Sequence, residues 1–157
     1  MIIIGIDPGI ARVGYGVIEK GTRTIRHIEN GCIETSGTNQ TTSHRLHEIY
    51  RRISALLAEH APDEVAVEEL FFTKNVTSAI RVAEVRGVIL LAIEERGIPV
   101  IEYTPNQIKL AVSGSGRAKK EQVQDMVRRL LKLDEIPRPD DAADGLAIAL
   151  CHTNTLR

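Results

Sequence analysis

Asp7, Glu68, Asp141 and Asp144 are the side chains whose types and positions could do chemistry together. Asp7 stands between Ile6 and Pro8 in "MIIIGIDPGIARVGYGVIEK", at the end of an apolar run and among Gly5, Gly9, Gly14 and Gly16. Glu68 closes the apolar part of "EVAVEEL", while "DDAADGLAIAL" sets Asp141 and Asp144 on one helical face that continues through Ile148 and Cys151. Three of the acids have a plainer reading: Asp7 stabilising a glycine-flanked turn, Glu68 solvated at a strand end, Asp141 complementing a helix dipole; Asp144 is harder to dismiss. Convergence would change that. Four carboxylates about 6 Å apart at an effective dielectric of about 20 repel by about 3 kcal/mol per pair. Such a cost is tolerated mainly where divalent cations bind or protons are taken up. Oxygen ligands of this kind suit Mg²⁺ or Mn²⁺, and two such ions about 4 Å apart activate a water and stabilise the leaving oxygen in phosphodiester hydrolysis.

The elements that must position these acids follow from periodicity. Residues 2–6 read as a buried strand, Val13, Tyr15 and Val17 alternate with Gly14 and Gly16 as a second, and Thr24–Glu34 gives a third. Leu46, Ile49, Ile53, Leu56 and Leu57 recur at helical spacing up to His60, before Pro62. Val65–Glu68 is a fourth strand. Asn75 is a candidate N-cap for a helix running to about Arg96, whose "VILLAI" half is apolar nearly all round and must be covered on more than one side. Two covers fit: a central place between the sheet and other helices, or a dimer interface. "IPVIEYT" supplies a fifth strand and "PNQIKLAV" a helix with Pro at its first position; helices follow from about Lys119 to Leu131 and from about Asp140. The expectation is an α/β fold, a five-stranded mixed sheet flanked by helices in the order βββαβαβααα.

The 157 residues, 43% hydrophobic, suffice for one domain spanning 1–157. Neither a membrane span nor a signal peptide is indicated, so a cytoplasmic protein is expected. Cys32 and Cys151 lack the spacing of a zinc site, and His27, His44, His47, His60 and His152 show no ligand spacing and receive no role. A net charge of −1 announces no nucleic-acid surface, so any such surface must be local; "SGSGRAKK" is a flexible basic loop of that kind. Aromatic residues are only 3% of the chain, which makes the adjacent Phe71 and Phe72 conspicuous.

"GIDPGIARVGYGVI", "AVEELFFTKN" and "DDAADGLAIAL", with "KKEQVQDMV" between the last two, resemble the RuvC-type Holliday junction resolvases in order and spacing over nearly the whole chain. The resemblance implies a ribonuclease H-like fold, a homodimer, and a metal-dependent endonuclease of recombination and DNA repair. Such an enzyme resolves four-way DNA junctions by symmetric paired nicks in strands of like polarity, leaving 5′-phosphate and 3′-hydroxyl ends. Position by position, the family's metal-binding carboxylates fall on Asp7, Glu68, Asp141 and Asp144, holding two Mg²⁺ (or Mn²⁺) with Asp7 bridging them. The supporting catalytic lysine falls on Lys120, with Lys119 the neighbouring alternative, and Lys109 matches another basic position of the active site. Lys109, Arg117, Lys119 and Lys120 would hold DNA, and Phe71 would stack on an unpaired base, leaving Phe72 for the core. The family's RuvA–RuvB branch-migration complex is the implied partner.

Other functions share parts of this pattern. Actin-like ATPases also carry Asp-x-Gly after a strand, but need two such domains. A catalytically silent junction scaffold would not need the full carboxylate set. A short nuclease family with a similar Asp-x-Gly start lacks the reason for "SGSGRAKKEQVQ".

Overall fold

In the computed structural model, which describes residues 1–9, 11–35, 41–69 and 76–156, the opening apolar run is strand β1 (Ile2–Pro8). It is followed by β2 (Arg12–Lys20), β3 (Ile25–Glu34), α1 (Thr42–His60), β4 (Glu64–Glu68) and α2 (Val76–Glu94). Then come β5 (Val100–Tyr103), α3 (Pro105–Ser113), α4 (Lys120–Leu130) and α5 (Asp140–Thr155). This is the expected order, and the sheet is mixed as expected. Its strands run β3-β2-β1-β4-β5, antiparallel from β3 to β1 and parallel from β1 to β5. The helix punctuation is local chemistry. Thr104 caps α3 by accepting from the Gln107 amide at 3.3 Å, while Gln107 Oε1 accepts from the Thr104 amide at 2.8 Å, and Pro105 takes the first helical position.

Strand alternation sorts the core into two layers. Ile4, Ile6, Val13, Val17, Val65 and Val67 face α1 and α2, whereas Ile3, Ile18 and Ala66 face the layer of α3, α4 and α5. Gly5 and Asp7 therefore share the face of Ile3, and Glu68 shares that of Ala66. The glycines on this face are spaces for a helix. A Cβ at Gly5 would collide with the Gly145 carbonyl and the Ala149 amide, one at Gly14 with the Asp141 carbonyl, and one at Gly16 would stand 2.6 Å from Leu146 Cα. Bare backbone at these positions lets α5 lie directly on β1 and β2. Gly9 is different, since the nearest atoms to a Cβ there belong to the Arg12 backbone.

Among the described residues α2 is covered on one face rather than enclosed between the sheet and other helices; the other expected cover, a dimer interface, concerns its remaining face. Val85, Ile89, Ala92 and Ile93 are buried towards α1 and the sheet, but Ile80 and Leu91 are 57% and 53% exposed. The proposed Asn75 cap lies outside the described residues. Cys151 is buried and Cys32 only partly so, both as free thiols.

His152, given no role by its spacing, is 2% exposed and fully partnered. Its Nε2 meets the Glu64 carboxylate, its Nδ1 lies 2.8 Å from the Tyr103 hydroxyl, and that hydroxyl lies 2.6 Å from Thr155 Oγ1. The network ties the C-terminal end of α5 to β4 and β5, fixing the helix at the end opposite its acids.

Candidate metal centre

Asp7 leaves β1 opposite Gly14, beneath the first turns of α5, which carry Asp141 and Asp144. One carboxylate oxygen from each of Asp7, Asp141 and Asp144 lies within 4.8 Å of the others. Glu68 joins them by a hydrogen bond with Asp7. A cavity of about 280 Å³ opens over this group, lined by Asp7, Glu68 and Asp144 and by Lys109 and Lys120, with Ile108 and Val123 among its apolar walls. The sequence placed the acids at element ends; the fold brings all four together.

Their charge is poorly compensated. Burial, then the charges of Glu68, Asp144 and Asp141, push Asp7 up from 3.8 to about 8. Burial also raises Glu68, opposed by the hydrogen bond from Asp7 and by Lys109. Burial raises Asp144 as well, opposed by Lys120. For Lys120 burial pulls the pKa down, but the hydrogen bond to Asp144 and the charges of Asp144, Asp140 and Asp141 outweigh it, so the ammonium is held more firmly than usual. Lys120 is a cation here rather than a base.

The donor set fits a hard divalent cation: oxygens only, clustered, and carrying enough surplus negative charge that one of them retains a proton without metal. Among the described residues Glu29, Glu59 and His60 form a second trio of possible ligands. There Glu29 is already satisfied, accepting from Tyr15 Oη at 2.7 Å and pairing with His60 Nε2 at 2.9 Å.

The basic residues divide. Lys120 Nζ lies 3.1 Å from Asp144 Oδ2 and 3.8 Å from Asp140 Oδ2, and Lys109 shares the cavity. Lys119 precedes α4, its amide donating to Gln122 Oε1 at 2.8 Å, and its side chain is exposed. Arg117 lines a separate groove with Ser113, Ser115, Asp125 and Arg129. Phe71 and Phe72 lie outside the described residues. One cation at the acids escaped the sequence reading: Arg12 Nη1 is 3.7 Å from Asp141 Oδ2, and its Nε is 3.2 Å from Glu34 Oε1. Counting residues along the β2–β3 hairpin would have paired Arg12 with Glu34, but not with α5.

A raised acid pKa has a definite sign in stability. The folded chain holds a proton on Asp7 that the unfolded chain releases above about pH 4, so stability is lost as pH rises from about 4 through about 8. The metal-free protein should therefore melt lower at pH 8.5 than at pH 5.5, and Asp7→Asn should flatten that slope. Calorimetry of both proteins in chelator checks this; equal slopes would refute the buried, proton-holding Asp7.

A family model described as "Crossover junction endodeoxyribonuclease RuvC" matches residues 3–152. A curated relative of that name from Thermotoga petrophila is 53% identical over 152 residues, 97% of this chain and 92% of the relative. Thermus thermophilus RuvC superposes with a TM-score of 0.88 at 41% identity, covering 98% of this chain and 94% of that one. A structure of T. thermophilus RuvC in complex with Holliday junction substrate gives 0.87 at 38% identity, covering 98% and 93%.

Proposed function

Since the chain belongs to the RuvC family of crossover junction endodeoxyribonucleases, we propose that it is a metal-dependent endonuclease that resolves four-way DNA junctions in recombination and repair. The observation that carries this reading is the convergence of Asp7, Asp141 and Asp144 within 4.8 Å, with Glu68 on Asp7, in a cavity that also holds two lysines. Two Mg²⁺ ions, or Mn²⁺ in their place, would there supply an activated water and charge stabilisation for the leaving oxygen. Asp7, Glu68, Asp141 and Asp144 would hold them, Asp7 from the end of the buried strand β1. Lys120, firmly protonated and tied to Asp144, places a positive charge beside the phosphate, and Lys109 does so from α3. Arg117 and Lys119, farther along the α3–α4 surface, would hold the DNA backbone. Phe71 would stack on a base at the opened junction.

The products are 5′-phosphate and 3′-hydroxyl ends from paired nicks in strands of like polarity. Pairing requires two sites, hence a homodimer, and the exposed stripe of Ile80, Gly87 and Leu91 on α2 supports α2 as its interface. The protein would work in the cytoplasm, where RuvA–RuvB would deliver junctions; among the described residues no helix is long and apolar enough to cross a membrane.

A labelled synthetic four-way junction tests the activity: Mg²⁺-dependent paired nicks are expected, and binding without cutting in Mg²⁺ or Mn²⁺ would reduce the protein to a scaffold. For the interface, Leu91→Glu should convert a dimer into a folded monomer in analytical ultracentrifugation and turn paired nicks into sparse single ones. A variant that remained dimeric would move the interface away from α2.

A further inference from the structure

Arg12 is the first residue of β2, and its guanidinium, half exposed, spans two acids. Nε lies 3.2 Å from Glu34 Oε1 on β3, while Nη1 lies 3.7 Å from Asp141 Oδ2 on α5. Lys120 approaches the same turns of α5 through Asp144 and Asp140. Asp140 also pairs with Arg138 at 3.2 Å, so among the three acids at the start of α5 Asp141 is the one paired with Arg12, and of these cations only Lys120 has a role in the proposed reaction.

Arg12 is poorly placed to bind phosphate. Sandwiched between Glu34 and Asp141, it belongs to a group of net negative charge, which repels a DNA backbone. Its charge acts instead on whatever Asp141 binds. A divalent cation at Asp141 must share that carboxylate with Arg12 and sit near a like charge. Resting on the reading of the acids as a metal centre, we propose that Arg12 is the resident counter-ion of Asp141, which an incoming divalent cation displaces, and that Glu34 governs how strongly Arg12 competes. Glu34 draws the guanidinium towards β3, so weakening Glu34 delivers Arg12 more fully to Asp141. The two residues should therefore act on metal affinity with opposite signs.

The hairpin contains its own control. The Arg26–Glu19 pair, joined at 2.8 Å, stands at the far end of the same β2–β3 ladder, with no metal-centre acid beside it. A change of charge at Arg26 matches that at Arg12 without the contact.

The test is a titration of the DNA-free, full-length protein with Mn²⁺, read by electron paramagnetic resonance of the free ion. Arg12→Ala should bind Mn²⁺ about three- to tenfold more tightly than wild type, and Glu34→Gln more weakly by a similar factor, as expected for a like charge at this range near the surface. Arg12→Lys should stay close to wild type, and Arg26→Ala should change nothing. Metal-free melting temperatures of these variants should stay within a few degrees of wild type, because exposed ion pairs contribute little to stability. A purely structural role would shift the melting temperatures and give both variants the same sign. If Asp7→Asn loses Mn²⁺ while Arg12→Ala binds it like wild type, the counter-ion inference is wrong and the metal centre stands. If wild type binds no Mn²⁺, or Asp7→Asn binds it equally well, the metal centre itself is misread and the inference falls with it.

Discussion

Asp7→Asn should abolish junction cleavage while leaving junction binding intact, and in the absence of metal it should make the protein more stable. The first effect follows from what a metal ligand does. Lewis-acid and water activation together contribute several kcal/mol to a phosphoryl transition state. Each 1.36 kcal/mol is tenfold in rate, so losing this ligand should slow cutting by on the order of a thousandfold or more. The second effect follows from burial. Asp7 has its pKa raised to about 8 by desolvation and by Glu68, Asp144 and Asp141, so at pH above that value the empty site holds several carboxylates in repulsion. Asparagine keeps the shape and can still donate to Glu68, but brings no charge. Junction binding should persist because it depends on cations elsewhere and on stacking, and removing one negative charge near the phosphate does not weaken it. Gel-shift and cleavage assays on the same labelled junction, with melting curves in chelator, read all three effects. Cleavage at the wild-type rate would remove Asp7 from the metal centre. Loss of binding would recast it as part of the DNA surface.

The elements themselves were legible because their signals are local. The apolar run of β1, the alternation in β2, the apolar stripe of α1, and Pro105 at the first position of α3 are each decided within a few residues. What could not be read depends on partners distant in sequence. An apolar residue such as Leu91 has the same pattern whether it faces its own core or the outside, so the nearly all-apolar half of α2 did not say which of the two covers its exposed side would have. His152 joins Glu64 and Tyr103, residues 88 and 49 positions away, a set no spacing rule connects. Arg12 reaches Asp141 only because α5 lies across the start of β2. For the acids, the i,i+3 placement of Asp141 and Asp144 was visible in the residues, whereas their meeting with Asp7 and Glu68 was implied only by the family resemblance. That meeting depends on the glycines of β1 and β2. The alternation of Gly14 and Gly16 was read as a strand pattern; the space they and Gly5 leave is taken by the backbone of α5.

Gly14→Ala should therefore be among the most damaging single-methyl changes in the protein, although Gly14 bears no chemistry. The added Cβ would overlap the Asp141 carbonyl oxygen and stand 2.5 Å from its carbonyl carbon and 3.0 Å from its Cβ. Two of those three atoms are backbone, so a rotamer change cannot relieve the clash. Either β2 or the first turn of α5 must move. β2 is held on both sides, by β1 and by β3. α5 is anchored at its far end through His152 but begins at the clash, so its first turn should yield, carrying Asp141 and Asp144 away from Asp7. Overpacking of this kind costs about 1–3 kcal/mol of stability. The functional loss should be larger, because a displacement of about 1 Å in a catalytic constellation can cost roughly a hundredfold. Junction cleavage should fall by about that factor, Mn²⁺ binding should weaken, and far-ultraviolet circular dichroism should remain that of the wild type. Raising Mn²⁺ should recover part of the rate, since the ligands are displaced rather than removed. Asp7→Asn should show no such recovery. If Gly14→Ala cuts junctions and binds Mn²⁺ like wild type, the contact between β2 and α5 does not set the geometry of the acids.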